Sequence, residues 1–192
     1  MQRTDDDIRL IEATLKGSRP AFQQLVERYQ HFVFTIAFRI LRSREEAEEA
    51  AQDVFVKVYK TLNSYEKKSK FSTWLYTVTY RTAIDIARKK QLLTDSIDDD
   101  ANFLQMEAAE DSPLKEVQHV DLQVQLQVAI NQLRPDDAAL ITLFYLNEKT
   151  VKEISEITGL TETNIKTKLH RTRELLREHL SEHLKAEIQD FI

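Results

Sequence analysis

Hydrophobic residues in the front half of the chain recur every three or four positions, which predicts a row of amphipathic helices. The first run covers residues 22–40, with apolar positions Phe22, Leu25, Val26, Tyr29, Phe32, Val33, Ile36 and Ile40. A second helix is predicted to start at the capping-box pattern of residues 43–46 and to end at residues 63–64. A third is predicted over about residues 72–90. The inner face of the second helix is Ala47, Ala51, Val54, Val58 and Leu62. In the third helix, one side carries Leu75, Val78, Thr82 and Ile86.

The back half follows the same helical spacing. One helix is predicted from Leu122, Leu126, Ala129, Ile130 and Leu133. Pro135 is expected in the first turn of the next helix, where proline is tolerated. With two glycines and three prolines in 192 residues, the chain has too few turn residues for a many-stranded β-sandwich or barrel. The pattern therefore predicts an all-α protein.

Composition excludes several kinds of chemistry. The two glycines, Gly17 and Gly159, leave no room for a glycine-rich phosphate-binding loop. The absence of cysteine excludes disulfides, thiol nucleophiles, zinc fingers and iron–sulfur clusters. The first ten residues are charged, so no signal peptide is expected, and no apolar run approaches the ~20 residues of a membrane helix. We expect a cytoplasmic protein with no metal, cofactor, small-molecule substrate or membrane insertion.

Charge divides the chain into three parts. Residues 1–92 carry a net charge of +5, residues 93–118 carry −7 and residues 119–192 carry −3, which together give the net charge of −5 of the whole chain. The middle part contains three consecutive aspartates and Pro113 and shows no sustained hydrophobic period. We interpret it as an acidic linker between two small helical domains, residues 1–92 and 119–192.

Residues 150–177 carry the clearest motif of the back half. Thr150 and Glu153 form a capping box for a short helix, and Gly159 lies in a tight turn where a left-handed residue ends that helix. Thr161 is expected to cap a longer basic helix, whose apolar positions are Ile165, Leu169, Thr172 and Leu176. Two helices about a glycine turn, the second of them basic, are typical of a DNA-binding helix-turn-helix.

The outer face of the second helix carries side chains that suit a DNA groove. Six residues on this face are of types that contact base edges and phosphates in DNA, namely Thr163, Asn164, Lys166, Thr167, His170 and Arg171. The alternative is an ordinary helical hairpin with a solvated charged face. The glycine position, both caps and the apolar spacing together favour DNA binding.

Residues 65–90 interleave seven basic side chains with aromatic ones. Such a mixture suits single-stranded nucleic acid, because every base can stack on an aromatic ring. The alternative is that Phe71 and Trp74 anchor a core, and helical spacing favours this for Trp74. Lys67, Lys68 and Lys70 precede the third helix in a predicted loop, where we expect them to contact a polyanion.

Taken in order, these segments resemble the extracytoplasmic-function, or group IV, sigma factors of bacterial RNA polymerase. The resemblance covers about residues 10–180 and rests on AEEAAQDVFVKVYK, KFSTWLYTVTYRTAIDIARKK and NIKTKLHRTRELL. It implies a sigma region 2 helical bundle in residues 1–92, an acidic linker in residues 93–118 and a sigma region 4 helix-turn-helix in residues 119–192. It also implies core RNA polymerase, through its β′ clamp and β flap, and promoter DNA as partners.

The resemblance assigns roles to individual positions. For docking on polymerase it implies Gln52, Asp53 and Phe55. For binding and melting the minus-ten element it implies Lys67, Lys68, Lys70, Trp74, Arg81, Arg88 and Lys89. For the minus-thirty-five element it implies Thr163, Asn164, Lys166, Thr167, His170 and Arg171. A sigma factor of this kind catalyses no reaction itself and is expected to be controlled by an anti-sigma factor.

One departure from the family pattern is Ser155, which stands where such proteins usually carry a small apolar residue. Its hydroxyl is expected to bond to a carbonyl one helical turn earlier, which leaves the helix intact.

Two other functions are open from the residues alone. An autonomous helix-turn-helix regulator accounts for residues 119–180, but it gives residues 65–90 no role and predicts tight duplex binding without polymerase. A metal-dependent enzyme would need a site such as His179 and His183, or the aspartates at 98–100. An exposed helix and a solvated linker explain those residues better, since no glutamate completes an HExxH pattern.

Overall fold

The computed structural model describes the backbone of residues 2–95 and 122–190 and the side chains of residues 6–90 and 125–181. Within those ranges the regular elements are all helical, which confirms the predicted fold class. The front half contains α1 (Gln2–Leu15), α2 (Arg19–Leu41), α3 (Arg44–Thr61), a 3₁₀ turn (Leu62–Ser64) and α4 (Phe71–Asp95). The back half contains α5 (Leu122–Gln132), α6 (Pro135–Ile141), a π-helical turn (Thr142–Leu146), α7 (Val151–Thr158) and α8 (Glu162–Asp190). None of these helices is long and apolar enough to cross a membrane.

The predicted acidic linker falls almost entirely on residues 96–121, which lie outside the described residues. Its first three residues, 93–95, continue α4.

Helix α2 lies at the centre of the front half and packs against α1, α3 and α4. Its buried positions follow the predicted spacing and are Leu25, Tyr29, Val33, Ile36 and Ile40. On α3 the buried residues are Ala47, Ala50, Val54 and Val58. Ala50 therefore lies in the core, while the predicted Ala51 is only half-buried.

The N-terminus of α3 has one half of the predicted capping box. The Ser43 hydroxyl accepts a hydrogen bond from the N–H of Glu46 at 3.3 Å. The Glu46 carboxylate does not return to the Ser43 backbone, because it accepts a hydrogen bond from Lys90 of α4 at 2.7 Å. An ion pair between helices has taken the place of the local contact.

Helix α1 is not among the predicted helices, because its first residues are mostly charged. A buried carboxylate attaches this helix to α2. Asp7 accepts hydrogen bonds from Arg28 at 2.6 Å and from the Tyr29 hydroxyl at 2.5 Å. These two donors replace the water that the buried carboxylate has lost. Burial and the neighbouring Asp7 raise the pKa of Tyr29 far above its ordinary value.

Helix α4 is covered from two directions, by α2 and α3 and by α7. Its buried residues are Phe71, Thr73, Leu75, Tyr76, Thr79 and Ala83. Of the positions predicted to share one side, Leu75 is buried, and Val78, Thr82 and Ile86 are half-buried. Buried residues also lie away from this side, because a helix with partners on two sides has no single inward face.

The back half packs around α8, which contacts α5, α6 and α7. The predicted apolar positions of α8, namely Ile165, Leu169, Thr172 and Leu176, are all buried. Pro135 stands in the first turn of α6, as predicted. The two halves of the chain pack on each other through α4 against α7 and α2 against α6.

Candidate functional site

The first helix of the helix-turn-helix has the complete capping box that its sequence predicts. The N–H of Glu153 donates to the Thr150 hydroxyl at 3.2 Å, and the N–H of Thr150 donates to the Glu153 carboxylate at 2.9 Å. Gly159 ends α7 in a left-handed conformation, with φ of +77°. A side chain at this position would strain the backbone, which is why glycine suits the turn.

A hydroxyl bond closes the turn between α7 and α8. The Ser155 hydroxyl donates to the carbonyl of Leu160 at 2.6 Å, five residues later. The prediction that it would bond one turn earlier is therefore wrong, because the Gly159 turn brings the Leu160 carbonyl back to α7. On the other side of the turn, the Thr161 hydroxyl accepts from the N–H of Asn164 at 3.3 Å and caps α8.

The outer face of α8 is open to solvent. All six residues assigned to the minus-thirty-five element are exposed: Thr163, Asn164, Lys166, Thr167, His170 and Arg171. Lys168 behaves differently, because its ammonium pairs with Asp137 of α6 at 2.8 Å. This ion pair attaches α8 to α6, while the side chains next to Lys168 on α8 face outward.

The basic residues further along α4 are also exposed. Arg81 and Arg88 are seven residues apart, which places them on one side of the helix, two turns from each other. Lys89 adjoins Arg88 and is exposed as well. These three cations form one basic edge on α4.

Aromatic rings support the start of α4. Phe71 is buried, as the core interpretation predicts. Trp74 is half-buried, and its ring centroid lies 5.6 Å from that of Tyr65 and 5.9 Å from that of Phe71. Trp74 thus anchors the helix, while part of the residue remains exposed to solvent.

The loop of residues 65–70 holds its three lysines in ion pairs. Lys67 pairs with Glu12 of α1 at 2.7 Å, Lys68 pairs with Glu66 beside it, and Lys70 pairs with Glu153 of α7 at 3.0 Å. The hydrogen bond from Lys67 lowers the pKa of Glu12. Acidic side chains of the protein therefore occupy the cations that were predicted to meet a polyanion.

The predicted polymerase-docking face of α3 contains residues that sequence reasoning missed. Gln52 and Asp53 are exposed, whereas Phe55 is half-buried against the core. Val56 and Tyr59 are exposed large hydrophobic residues, with 52% and 47% of their surface open. Their spacing from Asp53, three and six residues further along, is the signal that could have identified them.

A polar contact between the two halves could not be read from the sequence. Lys149 is only 8% exposed, and its ammonium donates to the Ser72 hydroxyl at 2.7 Å. The same ammonium lies 5.1 Å from the centre of the Tyr76 ring. Another contact between the two halves is made by Arg39 of α2, which is hydrogen-bonded to Gln127 and Asn131 of α5.

No group of three or more metal-ligating side chains occurs within the described residues. The side chain of His183 and the aspartates at 98–100 lie outside those residues.

Two sequence families match the chain. Sigma-70 region 2 matches residues 25–92, and Sigma-70 region 4 matches residues 123–176. The first span contains α3 and most of α2 and α4, and the second contains most of the helix-turn-helix.

Curated relatives extend the similarity over most of the chain. The ECF RNA polymerase sigma factor SigW of Bacillus subtilis is 31% identical over 176 residues, which is 88% of this chain and 94% of SigW. The ECF RNA polymerase sigma-E factor of Escherichia coli K12 is 30% identical over 176 residues, covering 87% of this chain and 90% of that protein.

Solved structures share the fold. The sigma factor RpoE of Bartonella quintana, in complex with the anti-sigma factor NepR, superimposes with a TM-score of 0.65 at 24% identity over 83% of this chain and 96% of that one. CnrH, in complex with the cytosolic domain of CnrY, gives a TM-score of 0.64 at 17% identity over 92% of this chain and 98% of CnrH. With two sigma regions in order, and with relatives at 30% identity or more along nearly its whole length, the chain belongs to the extracytoplasmic-function sigma factors, the non-enzymatic initiation factors of bacterial RNA polymerase.

Proposed function

We propose that different helices of this sigma factor bind core polymerase, the minus-ten element and the minus-thirty-five element. Residues 1–92 bind core polymerase through α3 and the minus-ten element through α4 and the preceding loop. Residues 119–192 bind the minus-thirty-five element through α8, and residues 93–118 join the two units. The observation that carries the proposal is the open face of α8, where all six assigned side chains are exposed while the opposite face is buried.

Polymerase makes two weak DNA contacts into one strong one. The chain as a whole carries a net charge of −5, so its free form is poorly attracted to DNA. When polymerase holds both units at the spacing of a promoter, the second contact becomes intramolecular and the overall affinity rises. Capture of an unstacked base beside Trp74 offsets part of the energy of melting, a few kcal/mol by base-flipping estimates. The chain contributes no covalent chemistry.

The structure supports a refined docking surface on α3. Gln52 and Asp53 offer hydrogen bonds, and Val56 and Tyr59 offer apolar area beside them. Phe55 is packed inward and supports the helix from below. A polar stripe next to an exposed apolar pair is the composition expected of an interface that stays soluble when unoccupied.

Regulation by an anti-sigma factor is part of the proposal. The Bartonella RpoE structure contains an anti-sigma factor, NepR, and CnrH is bound to the cytosolic domain of CnrY. On this chain the exposed pair Val56 and Tyr59 is the surface that an inhibitor would cover to exclude polymerase. A protein that serves bacterial polymerase in this way works in the cytoplasm.

The reading role of α8 is tested by Lys166→Ala together with Arg171→Ala. The holoenzyme should bind a promoter with a strong minus-thirty-five element at least about tenfold more weakly. The slope of the logarithm of the binding constant against the logarithm of the salt concentration should become shallower by about one for each phosphate contact that is lost. Association with core polymerase should not change. Arg9→Ala, an exposed cation on α1, is the matched control. Loss of core binding in the double variant would show that α8 has been assigned wrongly.

The docking role of α3 is tested by Asp53→Ala and by Tyr59→Ala. Each should raise the Kd for core polymerase by about tenfold, since truncation of a central interface residue costs more than about 1 kcal/mol. Circular dichroism should show an unchanged helical fold, because Asp53 is exposed and Tyr59 is 47% exposed, with its ring edge-on to Phe22 at 4.9 Å. Glu45→Ala removes an acid from the same helix two turns earlier and should have no effect. Native affinity in both test variants would remove this face from the docking site.

A further inference from the structure

Helix α1 contributes none of the contacts proposed above, yet one of its carboxylates is buried. Asp7 is only 5% exposed, and it accepts hydrogen bonds from the Arg28 guanidinium at 2.6 Å and from the Tyr29 hydroxyl at 2.5 Å. An enclosed carboxylate is costly unless such donors satisfy it, so Asp7 and Tyr29 hold each other in position. The neighbours of the Tyr29 ring show what this bond keeps in place.

Three aromatic contacts connect Tyr29 with residues 65–70, which we call the minus-ten loop. The Tyr29 ring meets the Phe71 ring edge-on at 5.6 Å between centroids, and Phe71 meets Tyr65 edge-on at the same distance. Trp74 completes the cluster, at 5.6 Å from Tyr65 and 5.9 Å from Phe71. Edge-on rings have a preferred geometry, and close-packed side chains transmit a displacement to their neighbours. The position of the Tyr29 ring therefore affects Tyr65, at the start of the loop.

Tyr65 ties the beginning of the minus-ten loop to its end. The residue is 9% exposed, and its hydroxyl donates to the carbonyl of Ser69 at 2.6 Å. Burial and the nearby charge of Asp7 raise the pKa of the Tyr65 hydroxyl, so the carboxylate of α1 and the loop tyrosine are close enough to interact. The shape of the loop therefore depends on a tyrosine whose surroundings include Asp7.

Helix α1 also contacts the minus-ten loop directly. Glu12 pairs with the Lys67 ammonium at 2.7 Å, and Lys67 has a φ of +58°, which is uncommon for a residue other than glycine. Such a conformation persists where the surrounding structure imposes it. Because 46% of the Lys67 side chain and 52% of the Glu12 side chain are exposed, this ion pair contributes little by itself. We therefore attribute most of the restraint to the buried Asp7.

We propose that Asp7 is a positioning residue for the minus-ten element, and that it acts through the Tyr29 ring to hold the minus-ten loop in the shape that accepts an unstacked base. Helix α1 then takes part in promoter melting although none of its residues is assigned to DNA. The proposal rests on the function proposed above, because it takes residues 65–70 as a DNA surface. If the loop is in place in only a fraction of the molecules, the apparent affinity for the base falls by that fraction.

Two variants break the Asp7–Tyr29 hydrogen bond from opposite sides. Asp7→Ala removes the acceptor, and Tyr29→Phe removes the donor while it keeps the ring. Asp7→Asn is the conservative replacement, since its amide oxygen can still accept from the Tyr29 hydroxyl. Arg9→Ala, which removes an exposed cation from the same helix, is the matched control. All four variants are compared with the wild type at a temperature at which circular dichroism shows each of them to be folded.

The first measurement is the rate of promoter opening by the holoenzyme. The probe is a promoter that the wild-type holoenzyme selects from a pool of random-sequence DNA, and permanganate reactivity of the thymines in its minus-ten element reports melting. Asp7→Ala and Tyr29→Phe should each slow opening about tenfold, because a misplaced group costs a factor of this size or more. Asp7→Asn should restore the rate to within about threefold of the wild type. The Kd for core polymerase should not change, since α3 carries that contact.

The second measurement reports the minus-ten loop in the free chain. Trp74 is the only tryptophan of the chain, so selectively excited fluorescence comes from the ring cluster beside Tyr65. Quenching of this fluorescence by acrylamide should increase about twofold in Asp7→Ala and Tyr29→Phe, because local opening admits the quencher. Arg9→Ala should match the wild type in both measurements.

Several outcomes would overturn the role of Asp7. Normal opening by Asp7→Ala or by Tyr29→Phe would remove the path through the Tyr29 ring. Slower opening with unchanged quenching of Trp74 would show that Asp7 acts somewhere other than the loop. Core binding that weakened in step with opening, or no recovery in Asp7→Asn, would show that Asp7 only maintains the fold.

The proposed function is tested separately by Lys68→Ala together with Lys70→Ala. Both side chains are exposed, and both are assigned to the minus-ten element. This double variant should open the same promoter more slowly than the wild type while its Trp74 quenching stays normal. Normal opening by the double variant would refute the assignment of the loop to DNA, whereas slow opening here with normal opening by Asp7→Ala would refute the positioning role alone.

Discussion

Several interactions determine the pKa of the Glu153 carboxyl. Burial by itself would raise the pKa of its carboxyl. The N–H of Thr150, the Lys70 ammonium and the Thr150 hydroxyl oppose that effect, and with the charge of Lys149 they lower the pKa to about 2. All of these groups favour the ionised form, so the carboxylate stabilises both the cap of α7 and the contact with α4.

Acid should remove this stabilisation. Since the folded pKa lies below the ordinary value of 4.5, the contribution is complete above about pH 4.5 and is lost as the pH falls towards 2. We expect the melting temperature of the wild type to exceed that of Glu153→Gln by a constant amount above about pH 5 and to converge with it below that. Thermal denaturation followed by circular dichroism measures the difference. Glu156→Gln should show no such convergence, and a gap that persisted to about pH 2 would contradict the assignment.

Gly159 permits a second test at the scale of one residue. A Cβ at this position would meet no atom within 4 Å, so the cost of a side chain comes from its positive φ alone. Gly159→Ala should lower the free energy of unfolding by about 1–2 kcal/mol, and Gly159→Asn by less, because asparagine tolerates the left-handed region. Urea denaturation measures both. Equal losses for the two variants would mean that steric contact, rather than φ, sets the cost.

At the scale of elements, much of the fold could be predicted. Helical spacing located α2, α3 and α4, and the Thr150 cap and the Gly159 turn located the helix-turn-helix, because each of these signals is local in sequence. The predictions of local contacts were wrong, and those of buried faces were incomplete, where residues distant in the sequence form the contact. Lys90 takes the carboxylate of Glu46 away from its local cap, and α7 covers α4 on a side that the sequence pattern left open.

Helix α1 was missed for a related reason. Its charges resemble those of a solvated segment, yet Asp7 is buried between Arg28 and Tyr29 of α2. Only the spacing of Ile8, Ile11 and Leu15 pointed to a helix.

The attachment of α1 can be tested through Asp7→Ala. Removal of the carboxylate leaves the buried Tyr29 hydroxyl without its acceptor, so we expect a loss of about 1–3 kcal/mol in the free energy of unfolding. Asp7→Asn keeps an acceptor for Tyr29 and should lose less. Hydrogen exchange should show faster exchange in α1 than in α3 for the alanine variant. Uniform exchange across both helices would mean that Asp7 stabilises the whole unit rather than one element.

For the whole molecule, the assignment of function came from order and combination more than from any single motif. The basic segment and the helix-turn-helix could each belong to another kind of protein, but together they indicated a sigma factor. The contact between the halves could not be anticipated, since Lys70 and Glu153 are 83 residues apart and charge alone does not select such pairs.

Salt should act unevenly on the contacts of the minus-ten loop. The Lys67 and Lys70 side chains are 46% and 61% exposed, so their ion pairs are screened, whereas Lys149 is enclosed. Raising the salt concentration from about 0.05 M to about 0.5 M should therefore increase the acetylation of Lys67 and Lys70 more than that of Lys149. Mass spectrometry of the labelled chain gives all three rates. An equal increase at Lys149 would show that its enclosure depends on the exposed Lys70–Glu153 ion pair.

The double use of the Glu153 carboxylate also restricts how this sequence can diverge. Glutamine is the one replacement that keeps the cap. Because it removes the negative charge that pairs with Lys70, selection on position 70 should relax. Lineages that lose the acid at position 153 should therefore change position 70 soon afterwards, while Thr150 is retained. The two positions would then covary across orthologues although 83 residues separate them, whereas Thr150 would stay constant.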